Sequence, residues 1–168
     1  MTPLCQTERL IIRPFTLADT EFIIRLLNQA SFIRYIADKH VRDQKDAENY
    51  LRQGPLASYH THGFGLNLVA QRSDNTAIGM CGLLTRAELD KPDLGYAMLS
   101  EYCGQGYALE AATAVLKHTM TNHSLETVIA VTLPNNLNSN RLLMRLGFAL
   151  IDTTQLYELE NNLYQYQR

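Results

Sequence analysis

The chain has 168 residues, 46% of them hydrophobic and 19% charged, a balance that suits one globular domain over residues 1–168 and excludes intrinsic disorder. Fifteen basic against 17 acidic residues give a formal net charge of −2 with no basic run, so nucleic acid is not an expected partner. No stretch reaches the ~18 apolar residues of a membrane span, and the opening MTPLCQTERL carries an acid where a signal peptide would be apolar; no membrane and a cytoplasmic location are expected.

In chain order, Leu10–Arg13 is apolar and β-branched and ends at Pro14, which predicts a first strand. Thr16 with Asp19 three residues on has the spacing of a capping box. From Leu17 the apolar positions Phe22, Ile23, Leu26 and Leu27 recur at helical spacing to about Ala30. A second helix is expected from Asp43 through Leu51 until Gly54-Pro55 stops it. The period then shortens to that of strands. Phe64–Gln71 and Ala77–Leu84 read as a hairpin around Ser73-Asp74-Asn75, residues 86–92 as a loop, and Asp93–Leu99 as a further strand. YCGQGYA at 102–108 is a Gly-rich turn, followed by an amphipathic helix from Ala108 to about Thr121. Val128–Leu133 is a short buried strand, Asn138–Leu146 a helix closed by Gly147. Phe148–Thr153 and Leu156–Tyr164 are the final strands. Together these predict a mixed α/β sheet covered by helices.

Cys5, Cys81 and Cys103 are odd in number and lack CxxC spacing, so neither a disulfide framework nor a zinc site is expected. His60 and His62, two apart, read as loop or strand surface, and no metal is expected.

Strand, Gly-rich turn and helix at 93–121 form a candidate anion site. The first N–H groups of a helix lack intrahelical acceptors and lie at the positive end of its dipole, and Gly104 and Gly106 carry no side chain to keep a phosphate away. Taken alone, the same glycines also suit a bare tight connection. No Lys-Ser or Lys-Thr follows Gly106, so this is not a Walker loop. Leu109 occupies the third glycine position of a dinucleotide fingerprint, which excludes that motif as well.

Four ordered segments carry a family resemblance: TERLIIRPFTLAD (7–19), AIGMCGLL (77–84), DLGYAMLSEYCGQGYALEA (93–111) and NNLNSNRLLMRLGF (135–148). With them the chain resembles the GNAT N-acetyltransferases, and within these the RimJ/RimL type of ribosomal-protein N-terminal acetyltransferase. The resemblance implies the GNAT acyl-CoA N-acyltransferase fold, a central, mostly antiparallel α+β sheet with helices on both faces. It implies acetyl-CoA as cosubstrate, cradled by backbone amides around Cys103, Gly104, Gly106, Tyr107 and Ala108. Met98 and Leu99 would pair their backbone with pantetheine as with an added strand, and Asn136 would hold pantetheine by its side chain. Ser139 matches the residue three further on. Asn136 and Ser139 equally suit a helix cap.

Two positions depart from the pattern. Cys103 stands where the family has Arg, Gln or Trp, and Leu143 stands where many members carry a tyrosine that protonates the leaving thiolate. Ser139 or water is left for that role. Asp93 opens the cofactor strand where the family often has a catalytic glutamate, and alternation would align it with Gly95 and Ala97 as a general base facing the thioester. A carboxylate that only solvates the strand start is the competing reading, and Glu110 is a rival base or a support for the loop. The function implied is acetyl transfer from acetyl-CoA to an amine by direct attack, the acceptor being a protein N-terminus or a small molecule. A catalytically weak or inactive coenzyme-A-binding regulatory domain is the alternative. Dimers are common in the family, so a homodimer is compatible with this reading.

Overall fold

A computed structural model describes residues 2–168. Its centre is a mixed sheet of β1 (Cys5–Gln6), β2 (Leu10–Pro14), β3 (Leu66–Gln71), β4 (Ala77–Leu84), β5 (Asp93–Met98), β6 (Thr127–Thr132), β7 (Ala149–Leu156) and β8 (Leu159–Gln167). Their spatial order is β1-β2-β3-β4-β5-β6-β8-β7. Neighbours run antiparallel apart from β5 and β6, which are parallel.

Two cores flank the sheet. On one face it packs against α1 (Thr20–Leu27), α2 (Ala30–Tyr35), α3 (Gln44–Leu51) and α4 (Ala57–His62), with Ile23, Leu26, Ala47 and Leu51 closed over Leu66, Leu68 and Met80. On the other it packs against α5 (Tyr107–Asn122) and α6 (Leu137–Leu146). Ala111, Val115 and Leu143 there meet Leu94, Met98 and Val128. The mostly antiparallel sheet with helices on both faces is as the family resemblance implied.

The capping box forms: Ala18 N donates to Thr16 Oγ1 at 3.2 Å and Thr16 N to Asp19 Oδ2 at 2.8 Å. Arg13 adds a two-pronged pair to Asp19, at 3.0 and 2.8 Å. The helix expected to reach Ala30 stops earlier, at Leu27. Asn28 Nδ2 turns back onto the Ile24 and Val41 carbonyls, at 2.6 Å each, a local competition that ends helices.

Gly54-Pro55 does not stop the second helix. A π-helical turn over Arg52–Leu56 absorbs the proline and joins α3 to α4; the wider turn gives room to a ring that has no N–H to donate. Gly63, at φ +80°, closes α4. His60 and His62 therefore lie on a helix, not on a loop or strand. The last hairpin also turns later than expected, at Tyr157-Glu158, both with positive φ.

Candidate active site

β5 and β6 pair at one position, Asp93 with Ile129, where Ile129 N donates to the Pro92 carbonyl at 3.0 Å, and then diverge. A cleft of about 810 Å³ lies in the opening. Its walls include Leu66, Met80 and Leu84 from the α1–α4 face and Leu94, Ala130 and Leu143 from the α5–α6 face, so it runs through the sheet.

The antiparallel register decides which backbone groups face the opening. Leu99 N–H is committed to the Ile78 carbonyl of β4 at 2.8 Å, and the Leu99 carbonyl accepts from Tyr102 N at 2.9 Å. By alternation Leu94, Tyr96 and Met98 turn their amides away from β4 and toward β6. Of the pair expected to offer backbone to pantetheine, Met98 thus keeps a free N–H and Leu99 does not. The Met98 carbonyl already accepts from Gln29 Nε2 at 3.2 Å.

The Gly-rich turn leads from β5 into the 16-residue α5. Gly104 (φ +76°) and Gly106 (φ +83°) are both left-handed, and nothing lies within 4 Å of a Cβ placed on Gly104. The N–H groups from Gly104 through Leu109 find no acceptor among the described residues, the first helical bond being Glu110 N to Gly106 O at 3.1 Å. The loop is held from outside. Glu110 accepts from Thr7 Oγ1 (2.5 Å), Arg9 N (3.0 Å) and Arg9 Nε (2.7 Å). Arg9 Nη1 donates to the Gln105 carbonyl at 3.0 Å, and its guanidinium stacks 4.3 Å over the Tyr107 ring. Glu110 is therefore an anchor. Its partial burial is outweighed by these donors, which hold its carboxyl below the usual range. Tyr107 is buried, its hydroxyl accepting from Gln71 Nε2 at 3.1 Å. Cys103 is exposed beside the loop, with Sγ 3.7 Å from the Leu99 carbonyl.

On the α6 side, Asn136 Oδ1 caps the helix by accepting from Ser139 N at 3.4 Å, while its Nδ2 has no partner among the described residues. Asn136 and Ser139 both line the cleft. Ser139 Oγ lies 2.5 Å from the hydroxyl of Tyr96, which burial pushes up to about 12 despite that hydrogen bond. Sequence reasoning missed Tyr96. The signal was the alternation that put Met98 toward the opening, since Tyr96 shares its face. Asn140 was also missed: Nδ2 donates to the Asn136 and Leu133 carbonyls (2.8 and 3.1 Å), and Oδ1 accepts from Tyr164 Oη at 2.5 Å. It fixes the β6–α6 corner that aims Asn136.

Asp93 departs from expectation. It is 0% exposed and does not line the cleft. Oδ2 pairs with Arg86 Nη2 at 2.8 Å, and Oδ1 is the one buried side-chain N or O without a partner among the described residues. No open lane runs past Gly95, where a Cβ would meet Leu84 Cδ1 at 2.8 Å and Leu66 Cδ2 at 3.4 Å. Burial lifts the carboxyl to about 6 against the pull of Arg86.

Residues 9–149 match the family described as "Acetyltransferase (GNAT) domain". The chain is 26% identical to the uncharacterized N-acetyltransferase YoaA of Bacillus subtilis, over 96% of this chain and 91% of that protein. The fold is shared with an acetyltransferase from Agrobacterium tumefaciens (TM-score 0.85, 22% identity, 100% and 95% of the two chains). It is shared too with RimL, a ribosomal alpha-N-protein acetyltransferase solved with coenzyme A (TM-score 0.85, 17% identity, 99% and 98%).

Proposed function

Because the chain belongs to the acetyltransferase (GNAT) family, we propose that it moves an acetyl group from acetyl-CoA to an amine, either a protein N-terminal α-amine or a small molecule. The observation that carries this reading is two sets of unpaired backbone donors, one from Gly104 through Leu109 at the start of α5 and one at Met98 and Tyr96 on the edge of β5, with Tyr96 lining the cleft. The ligand's chemistry fits it. Free amides at the start of α5, with left-handed glycines that expose them, suit a pyrophosphate. The free N–H of Met98 and the Nδ2 of Asn136 suit the amide-rich pantetheine arm.

Acetyl-CoA supplies an activated thioester. In the net reaction an amide C–N bond forms as the thioester C–S bond breaks, the amine loses a proton and the sulfur gains one. The protein's part is to orient, to meet the growing charge on the carbonyl oxygen and to handle those protons. The Tyr96 and Met98 N–H groups are the donors available to the oxygen. The Tyr96–Ser139 hydroxyl pair supplies a proton to the leaving sulfur, a role that Leu143 cannot fill. Asp93 sits behind Arg86, and a guanidinium does not relay protons at neutral pH. Asp93 is therefore assigned to positioning Arg86, and water in the cleft accepts the amine proton. The test is thiol release from acetyl-CoA across N-terminal peptides, amino acids and polyamines, with mass spectrometry of the products. Thiol release with none of them would overturn the reading.

A further inference from the structure

On the α1–α4 side the cleft is lined by Arg34, Lys39 and Arg86, with Tyr50 beside them. Among the described residues neither Arg34 nor Lys39 has a carboxylate within ion-pair distance. The carboxylate on the same lining is Asp38, and its charge is already taken. Arg42 Nη2 lies 2.7 Å from Oδ2, and His40 N donates to Oδ1 at 2.8 Å. Arg86 is fixed differently. One nitrogen is tied to the buried Asp93, and its other N–H groups make no hydrogen bond among the described residues. A guanidinium anchored at its back and open at its front is a preorganised carboxylate receptor.

Lys39 and Arg86 line the same cleft, and partial burial together with the charge of the Arg86 guanidinium pushes Lys39 below the usual lysine range. Such a pair repels, and an anion held by both relieves the repulsion. The opposite end of the cleft, at Tyr96, Asn136 and Ser139, carries no charged side chain. The two ends thus differ in what they attract.

We infer that the acceptor is an amine bearing a side-chain carboxylate near its nitrogen, with Arg86 and Lys39 holding that carboxylate and Arg34 at the rim. The inference names the substrate class of the transferase site proposed above and rests on that reading. Two sources share this chemistry, free dicarboxylic amino acids and acidic N-terminal peptides.

The test uses matched probes: aspartate against asparagine, and a peptide with two aspartates after an N-terminal serine against its bis-asparagine counterpart. Initial rates are taken at saturating acetyl-CoA, and binding of each probe is measured by calorimetry. At least one acidic probe is expected to exceed its amide counterpart by about tenfold or more in kcat/KM and in affinity, and the pair that shows it names the source. The preference should shrink as salt screens it. Arg86→Gln should collapse the ratio toward one. Because that change leaves Asp93 without its partner, Lys39→Gln and Arg34→Gln are run beside it; both residues keep contact with solvent at the cleft mouth, and each should lower the ratio by several-fold. Equal turnover of acid and amide in both pairs, with thiol release intact, overturns the inference and leaves the transferase reading standing. An acid preference in binding that the three variants abolish, without any turnover, overturns the transferase reading and upholds the anion site.

Discussion

Tyr96 of β5 and Ser139 of α6 bring their hydroxyls to 2.5 Å across the opening between β5 and β6. This contact joins the strand that carries the free backbone donors to the helix that carries Asn136. It also puts a phenol in a site where sequence comparison, through Leu143, left none. Tyr96→Phe should lower kcat by about 10- to 100-fold with little change in acetyl-CoA affinity. Ser139→Ala should cost less, since the phenol remains. With the phenol pushed up to about 12, the wild-type rate should show no alkaline limb from Tyr96 up to pH 10. A Tyr96→Phe enzyme with unchanged kcat would remove the hydroxyl pair from proton delivery.

Gly104→Ala is expected to weaken acetyl-CoA binding. The left-handed φ of +76° costs a residue with a Cβ roughly 1–2 kcal/mol, and the methyl group would stand where the free amides open. Gly106→Val should weaken binding further, because a Cβ there also lies 3.4 Å from Arg9 Nη2 and would disturb the Arg9–Glu110 clamp. Calorimetry with acetyl-CoA on variants shown to be folded by circular dichroism decides this. Unchanged affinity would reassign the loop as a plain connection.

Asn136→Ala separates two jobs in one side chain. Oδ1 caps α6, so a stability loss of about 1 kcal/mol is expected, and the free Nδ2 predicts a rise in acetyl-CoA KM of roughly five- to tenfold. Asn136→Asp keeps the cap and removes the donor, so it should raise KM without the stability loss. If KM moves in neither variant, Asn136 is a cap alone.

The Asp93–Arg86 pair predicts a specific pH dependence of stability. The carboxyl rises from 3.8 to about 6 in the folded chain, so the native state holds that proton more tightly than the unfolded state. The stabilisation is complete below about pH 4 and is lost as pH climbs through about 6. Wild-type stability relative to Asp93→Asn should therefore fall over that window, by up to about 3 kcal/mol. Denaturation at pH 4, 5, 6 and 7 gives the difference, and a flat one would contradict the burial of Asp93. In activity, the Asp93→Asn defect should appear mainly in the acceptor KM. A kcat loss of about 10²–10⁴ that recovers at high pH would instead mark a general base.

With no carboxylate or imidazole base assigned in the cleft, the amine's own pKa becomes decisive. An α-amine near ~8 reaches its neutral form at about one unit from pH 7, a lysine near ~10.4 at over three, a difference of roughly 3 kcal/mol. N-terminal or free α-amines should therefore be acetylated well ahead of lysine side chains. Rates with matched peptides, N-terminally blocked or not, check this.

The elements themselves were legible because they follow local rules. Thr16 and Asp19 cap a turn, Leu10–Pro14 and Ala77–Leu84 are short apolar runs bounded by turn residues, and Gly104 and Gly106 allow a left-handed loop that Tyr107–Asn122 continues as a helix. The sequence thereby determined the order of strands and helices and the position of the Gly-rich loop. It could not determine relations that depend on pairing between distant segments. Whether Leu99 or Met98 offers a free N–H follows from the register of β5 on β4, and Tyr96 reaches Ser139 only because β5 and β6 part after Asp93. Alternation alone put Asp93 on a lane past Gly95, and the tertiary structure filled that lane with Leu66 and Leu84. It also set Arg86 over the carboxylate. Burial and electrostatic partners are properties of packing, and packing is fixed by contacts far apart in the chain.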